Sequence, residues 1–159
     1  MSPALISVDW GTSSFRAYLI SAGGGTLERR ESARGILTVE NGQFETVLAE
    51  AVSPWRRAHP GSPIMMSGMI GSRQGWIEAP YAACPAGGEE LAQRLIKVPS
   101  ATCGEIHLVP GLAFEDAMGV PDVMRGEETQ IVGALAAMGI ADGVFVLPGS
   151  HAKWVHVRC

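Results

Sequence analysis

The sequence contains few cysteines, and their spacing is not that of a metal site or a disulfide framework. Only Cys84, Cys103 and Cys159 are present among 159 residues, and none of them forms a C-x-x-C pair. An odd number of cysteines without that spacing argues against a structural zinc site and against a disulfide-stapled secreted domain. We therefore expect reduced thiols and a cytoplasmic protein, and we expect Cys159, at the last position, to be incidental.

Other absences narrow the class of protein. Basic residues form no run longer than those in ERRE and WRRAH, and the net charge is −4, so neither nucleic acid nor a membrane surface is indicated as a partner. No apolar run approaches the roughly 18 residues of a membrane-spanning helix, and the first residues lack the pattern of a signal peptide. Hydrophobic residues make up 47% and charged residues 18%, which is typical of a folded globular domain.

The pattern that is present predicts an α/β domain with a layered sheet. Apolar runs at 4–10 and 15–20, followed by GGGTLERRES, predict a three-stranded meander. Helical spacing of apolar residues from Phe44 to Val52 predicts a helix, and Pro54 predicts that this helix kinks or ends near Ser53.

The second half of the chain continues this alternation. SPIMMSGMIGSRQGW and EIHLVPGL each read as a short strand running into glycine, and GGEELAQRLIKV reads as a short helix or a helix followed by a strand. RGEETQIVGALAAMG predicts the clearest helix, with an apolar stripe of Ile131, Leu135 and Met138 and a stop at Gly139. Residues 143–157 repeat the strand, glycine turn and strand of residues 5–20.

The turn DWGTSS, between the first two strands, carries more polar groups than a turn requires. Glycine lets the backbone approach a ligand, and successive N–H groups in a tight turn form an anion nest. The hydroxyls of Thr12, Ser13 and Ser14 add donors for phosphate oxygens, and Asp9 at the strand end can hold a hydrated Mg²⁺. Alternatively, these side chains hydrogen-bond only to their own turn.

The motif ISVDWGTSSFRAYLI resembles the first phosphate motif of the sugar-kinase, hexokinase and actin-like ATPase superfamily. Further along the chain, MSGMIGSRQGW, APY, VPGL, VMRGEETQIVGAL and LPGSHAKWV, in that order, resemble the 2-dehydro-3-deoxygalactonokinase family of sugar-acid kinases. This resemblance spans nearly the whole chain. It implies a ribonuclease H-like/actin-like ATPase lobe, with a mixed central sheet flanked by helices, that closes with a second lobe on ATP, sugar and Mg²⁺.

The resemblance also implies roles for the two glycine turns. The first turn would lie near the transferring phosphate and the metal, and the second would open the other lobe. Residues 1–141 would form the sugar-binding lobe, and 142–159 the first strands of a nucleotide-binding lobe that is truncated. The phosphate-contacting residues expected are Gly11, Thr12, Ser13 and Ser14 in the first turn and Gly149, Ser150 and His151 in the second, with Asp9 as the metal ligand.

The catalytic base remains open among three carboxylates. The resemblance implies an acid at the start of a helix, a place where this chain has Glu127 and Glu128 in RGEETQ. Neighbours on a helix point about 100° apart, so at most one of them faces a substrate directly. Glu127 is favoured because its spacing to Thr129 resembles that of the aspartate in glycerol-kinase-like members, and Asp9 competes with it. Both glutamates could instead only complement the helix dipole.

Substrate contacts are expected from a glycine-rich loop and from one arginine. Arg125 could pair with a sugar-acid carboxylate, as guanidinium suits, or could form an ordinary ion pair. Trp76 could cover the sugar or merely fill a gap in packing. The loop residues expected to line the ligand are Gly68, Met69, Gly71, Ser72 and Arg73.

Three functions compete at this point. The first is an ATP-dependent kinase, or the lobe of one, that converts 2-dehydro-3-deoxy-D-galactonate to its 6-phosphate. We expect the chain to be incomplete and inactive or weakly active alone, and it could form a homo-oligomer. The second is a non-catalytic phosphate-binding module of the same fold. The third is a kinase for another small sugar, because a single hydroxyl decides such choices.

Overall fold

The computed structural model describes residues 3–149 and 151–158 and shows a mixed α/β fold with a mixed sheet and few helices. The α-helices are α1 (Phe44–Ala58), α2 (Gly88–Gln93) and α3 (Glu127–Met138). The strands are β1 (Pro3–Trp10), β2 (Phe15–Ser21), β3 (Thr26–Ser32), β4 (Ile64–Ser67), β5 (Ala82–Ala83), β6 (Ile96–Val98), β7 (Ile106–Leu108), β8 (Leu112–Glu115), β9 (Pro121–Met124), β10 (Gly143–Leu147) and β11 (Lys153–Val157).

A six-stranded sheet in the order β3-β2-β1-β4-β7-β6 organises the first part of the molecule. β1, β2 and β3 form the predicted antiparallel meander, while β4 runs parallel to β1, and β7 runs parallel to β4. Alternation along β1 places Ile6, Val8 and Trp10 in the core and turns Asp9 to the opposite face. The prediction of a meander followed by further strands is therefore confirmed.

Helix α1 covers this sheet and extends beyond the predicted end. We expected a kink or an end near Ser53, but the helix runs on through Pro54 to Ala58. Proline removes one backbone N–H from the helix, which the chain tolerates because Trp55 anchors the last turn. The Trp55 side chain is buried, and its Nε1–H donates a 2.6 Å hydrogen bond to Glu28.

A second hydrophobic cluster lies beside the main core. It combines residues of the three-stranded sheet β5-β8-β9, helices α2 and α3 and the hairpin β10–β11, whose inward side chains Phe145, Leu147, Val155 and Val157 pack against it. Helix α3 contributes Ile131 and Leu135, as predicted, and ends at Gly139 in a left-handed conformation. Met138 does not belong to the stripe, because its side chain is 64% exposed on the last turn.

None of the helices in the described part of the chain has the length and apolar character needed to cross a bilayer.

Candidate functional site at the carboxyl ends of the central strands

The candidate site lies where the parallel strands β1, β4 and β7 end. Asp9 and Ser67 are register partners in the β1–β4 pair, and Gly68 follows directly on Ser67. Gly111 comes three residues after Leu108, the last residue of β7. The carboxyl ends of parallel strands are the usual place for ligands in open α/β sheets, so polar groups that gather at this edge are candidates for binding.

Asp9 lies on this edge with its carboxylate turned away from the core. Its side chain is 30% exposed, and Oδ2 accepts a 3.0 Å hydrogen bond from Arg16 on the neighbouring strand. Oδ1 makes no hydrogen bond with any described residue and faces Gly68, where an added Cβ would lie 3.3 Å away. One carboxylate oxygen therefore remains available to a metal ion or a ligand.

In the first glycine turn, the exposed hydroxyl groups face solvent, whereas the Gly11 N–H is hydrogen-bonded within the turn. The Gly11 N–H donates to the Ser14 carbonyl at 2.9 Å and so closes the turn instead of pointing towards a ligand. Thr12 and Ser13 are exposed, and within the described residues neither hydroxyl forms a hydrogen bond. The hydroxyls of Thr12 and Ser13 therefore have no partner within the turn, and phosphate contacts by Gly11, Thr12, Ser13 and Ser14 stay predictions.

Glycines let the loop after β4 approach both Asp9 and the start of α3. Gly68 has a φ of +94°, and a Cβ there would lie 2.9 Å from the Trp10 carbonyl oxygen. A Cβ on Gly126 would lie 3.1 Å from the Gly68 Cα atom. This close contact brings the residues that begin α3 to the same edge of the sheet as Asp9, although they are more than 110 positions apart in the sequence.

The two glutamates at the start of α3 differ in their environment. Both carboxylates turn back to the residues before the helix: Glu127 Oε2 accepts the Arg125 N–H at 2.9 Å, and both Glu128 oxygens accept the Gly126 N–H at 2.9 and 2.8 Å. Glu128 is only 1% exposed, whereas Glu127 is half-buried. Both carboxylates are therefore held by backbone N–H groups that precede α3, and only Glu127 keeps access to solvent.

Burial also changes the acidity of Glu128. Desolvation is the largest influence and raises its pKa from 4.5 to about 7, with a smaller contribution from the neighbouring charge of Glu127. The Gly126 N–H and the Thr129 hydroxyl act in the opposite direction. A carboxyl group in this environment exchanges its proton near neutral pH.

Arg125 is a buried cation without a carboxylate partner among the described residues. Its side chain is 9% exposed, Nη2 donates to the Ala79 carbonyl at 2.8 Å, and the guanidinium lies 4.3 Å from the centroid of the Tyr81 ring. Nε and Nη1 are buried and have no hydrogen-bond partner. Leaving such donors unpaired is costly, so Arg125 is a candidate for binding an anionic group.

The remaining loop residues are distributed between the site and its surroundings. Gly71 lies at the guanidinium, where an added Cβ would be 3.0 Å from Arg125 Nη1. Ser72 donates its hydroxyl to the Met69 carbonyl at 2.7 Å, and Arg73 forms an exposed ion pair with Glu78. Ligand contacts by Met69, Ser72 and Arg73 stay predictions.

Trp76 has a packing partner. Its ring stacks on Phe44 with 6.5 Å between centroids and packs against the main core. This contact accounts for its position, and a role over the sugar stays a prediction.

The second glycine turn connects β10 and β11. Gly149 and His151 are exposed there, and Ser150 lies outside the described residues. Next to the turn, Lys153 forms an ion pair with Asp122 of β9, and this hydrogen bond lowers the pKa of Asp122, with His151 adding a smaller effect in the same direction. Phosphate binding at this turn stays a prediction.

The Asp9 carboxylate suits a Mg²⁺ ion that arrives bound to the phosphates of a ligand. Among residues 3–149 and 151–158, no three His, Cys, Asp or Glu side chains lie together as a preformed metal site. Mg²⁺ usually keeps several waters and binds through one or two carboxylates plus substrate phosphates, so it does not need such a cluster. The free Oδ1 of Asp9, next to the hydroxyl-bearing turn, suits this mode of binding.

Sequence reasoning missed Tyr81 and Ala79, which hold the Arg125 guanidinium. They lie 44 and 46 positions before Arg125, and no periodicity connects them. The segment APY did contribute to the family resemblance, and that was the available signal.

These features define an α/β protein with a candidate small-ligand site at the ends of its central strands. The site combines a partly exposed aspartate, a hydroxyl-bearing turn and a buried arginine that lacks a counter-ion.

The chain belongs to the 2-keto-3-deoxy-galactonokinase family, whose model matches residues 9–159. It is 44% identical over 154 residues, 95% of the chain, to a Rhizobium meliloti protein named as a 2-dehydro-3-deoxygalactonokinase. It is 37% identical over 155 residues, 98% of the chain, to the Escherichia coli 2-dehydro-3-deoxygalactonokinase. The match covers 48% and 50% of those proteins, so the chain spans about half the length of the curated relatives it matches.

A solved structure shares this fold. The crystal structure of a Sinorhizobium meliloti protein described as a 2-dehydro-3-deoxygalactonokinase matches with a TM-score of 0.80 and 41% identity. The match covers 98% of this chain and 50% of that one. The family resemblance stated from the sequence motifs is thus confirmed.

Proposed function

We propose that this chain supplies the sugar-acid-binding part of an ATP-dependent kinase that converts 2-dehydro-3-deoxy-D-galactonate to its 6-phosphate. The observation that carries the proposal is the buried Arg125, which has unpaired donors and whose guanidinium lies against Gly71, three positions after the Gly68 that approaches Asp9. A guanidinium without a counter-ion suits the carboxylate of a sugar acid, and family membership supplies the reaction class.

In this proposal the acid at the helix start serves the attacking hydroxyl. Phosphoryl transfer depends mainly on positioning and charge neutralisation, with a carboxylate that accepts the hydroxyl proton. Glu127 is the better candidate of the pair, because it is half-buried while Glu128 is enclosed by the Gly126 loop. Asp9 is the competing base, since its free Oδ1 lies at the same site.

The phosphates would lie over the first turn. Thr12 and Ser13 would donate their exposed hydroxyls to phosphate oxygens, and Asp9 would hold Mg²⁺. Bound there, Mg²⁺ would neutralise charge on the phosphate oxygens. Residues Gly149 and His151, together with Ser150, would contact the nucleotide from the second turn.

We also propose a division of the chain into two parts of different lobes. Residues 1–141 would form an actin-like ATPase lobe of the ribonuclease H-like type, and 142–159 would be the first strands of a nucleotide-binding lobe. The mixed sheet, with three antiparallel strands continued by parallel β4 and β7, supports the first part. The hairpin β10–β11 forms a sheet of its own and repeats the β1–β2 pattern, which supports the second. The free thiols of Cys84 and Cys103 fit a cytoplasmic setting.

A titration of the chain tests this function. Isothermal titration with 2-dehydro-3-deoxy-D-galactonate should give saturable binding, and a neutral sugar of similar size should bind less well. Saturable binding of ATP·Mg²⁺ together with no binding of the sugar acid would favour the phosphate-binding module. Preference for a neutral sugar would favour a different sugar kinase.

Substitution of Asp9 separates its chemical role from its structural one. Asp9→Asn should abolish the Mg²⁺ dependence of ATP binding yet lower the free energy of unfolding by no more than about 1 kcal/mol, because the Arg16 pair is partly exposed. Glu31→Gln is the matched control, since it removes another acid paired with an arginine on the same sheet. An Asp9→Asn variant that keeps normal Mg²⁺ dependence would exclude the metal role.

A further inference from the structure

The guanidinium of Arg125 is held on one edge and one face. The Ala79 carbonyl accepts from Nη2 at 2.8 Å, and the Tyr81 ring lies 4.3 Å from the guanidinium carbon. Nε and Nη1 carry the remaining donors, and neither is paired. Contact with an aromatic face orients a guanidinium without consuming any of its N–H groups, so Nε and Nη1 keep unpaired donors.

The segment that carries these two contacts is itself fixed at both ends. The Ala79 N–H donates to the Gly71 carbonyl, and the Ala82 N–H donates to the Gly111 carbonyl, each at 2.9 Å. In the sequence, Tyr81 therefore lies between two residues whose backbone is hydrogen-bonded to separate strand-end loops.

Glycines provide the space for this arrangement on both sides. A Cβ on Gly111 would lie 2.8 Å from carbon atoms of the Tyr81 ring, and a Cβ on Gly71 would lie 3.0 Å from Arg125 Nη1. Both distances are shorter than ordinary carbon contacts. A side chain at Gly111 would displace the ring, and one at Gly71 would press on the guanidinium.

Hydrophobic packing does not account for the position of Tyr81. Its side chain is 41% exposed, and among the described residues it belongs to neither hydrophobic cluster. The contact that it makes with Arg125 is therefore the feature to explain.

We propose that Tyr81 is a positioning residue, which holds the Arg125 guanidinium so that its free donors receive the carboxylate of the substrate and the site selects an acid over the matching neutral compound. The nature of the ligand rests on the proposed function. Tyr81 does not touch the reacting atoms; it acts through Arg125.

The test compares two ligands that differ only in charge. Binding of 2-dehydro-3-deoxy-D-galactonate and of its carboxamide, which has nearly the same shape, is measured by isothermal titration. The proteins are the wild-type chain, Tyr81→Phe, Tyr81→Leu and Tyr18→Leu. Tyr18 is the matched control because its ring also lies near an arginine, Arg29, at 5.9 Å, on the exposed meander.

Wild type, Tyr81→Phe and Tyr18→Leu should all prefer the acid. Tyr81→Leu should bind the acid about tenfold more weakly and the carboxamide as before, because the guanidinium is no longer held in the orientation that suits a charged carboxylate. In ¹⁵N spectra, the Nε–H signal of Arg125 is identified as the one that Arg125→Lys lacks. The chemical shift of this signal should change in Tyr81→Leu and should be unchanged in Tyr18→Leu.

Two results would overturn the inference in distinguishable ways. If wild type prefers the acid and Tyr81→Leu keeps that preference undiminished, the role of Tyr81 is wrong while the proposed function stands. If wild type binds the acid and the carboxamide equally well or binds neither, the carboxylate site fails, and the proposed function fails with it.

Discussion

Replacement of Glu128 by glutamine should change how the stability of the fold depends on pH. The carboxyl group is 1% exposed, and burial raises its pKa from 4.5 to about 7. At about 1.36 kcal/mol per pKa unit, this difference of about 2.5 corresponds to about 3 kcal/mol. Glutamine has nearly the same shape, and its amide oxygen can accept the Gly126 N–H, but it never carries the charge.

The sign follows from which state holds the proton. Between pH 4.5 and about 7, folded Glu128 keeps a proton that the unfolded chain has released, so the free energy of unfolding falls as the pH rises. The contribution is fully present below pH 4.5 and is lost once the pH has risen through about 7. Glu128→Gln should therefore resemble wild type at low pH and be more stable by up to about 3 kcal/mol at pH 8.

Urea unfolding followed by tryptophan fluorescence at several values between pH 5 and pH 8 measures this effect. Glu89→Gln, at the exposed start of α2, is the control and should follow the wild-type curve. Wild-type and Glu128→Gln curves that stay parallel across this range would refute the assignment of a buried, proton-exchanging carboxyl group.

Two further predictions concern stability. Hydrogen bonds from Ser100 and Thr102 lower the pKa of Glu45 to about 2. Glu45→Gln should therefore lower the free energy of unfolding by about 1 kcal/mol at neutral pH, after allowance for solvent screening, and should not change it below pH 2. Acid titration of unfolding measures this difference, and a curve identical to that of wild type would contradict the prediction. Gly68→Ala should cost about 2 kcal/mol, because φ is +94° and the Cβ would meet the Trp10 carbonyl at 2.9 Å. In urea unfolding, Gly24→Ala, with positive φ and open space, should cost less, and an equal loss would show that the close contact is unimportant.

Continuous stretches of sequence predicted much of the fold. The meander β1–β3 could be predicted because alternation and glycine turns are local signals, and the end of α3 could be predicted from Gly139. The small sheet β5-β8-β9 was not predicted, since β5 has two residues and β9 begins with Pro121 and Asp122, which are unusual in strands. Helix α1 continues beyond Pro54 because Trp55 makes a tertiary contact with Glu28, which periodicity does not reveal.

The sequence predicted which residues form the candidate site better than it predicted how they contact one another. Motifs identified Asp9, Arg125 and the glutamate pair, because their residue types carry the chemistry. Sequence reasoning could state that only one of Glu127 and Glu128 faces a ligand but could not fix the difference in burial, which depends on the contact between Gly126 and Gly68. Tyr81 could not be linked to Arg125, because that contact forms only when the loops after β4 and β7 meet.

We propose that one site at the ends of β1, β4 and β7 binds a sugar acid through Arg125 and presents the sugar hydroxyl to a carboxylate. A crystal structure of the chain soaked with 2-dehydro-3-deoxy-D-galactonate tests it directly. We expect ligand carboxylate oxygens about 3 Å from Arg125 Nε or Nη1 and a ligand hydroxyl within hydrogen-bond distance of Glu127 or Asp9. A ligand bound elsewhere on the chain, with the Arg125 donors still unpaired, would contradict it.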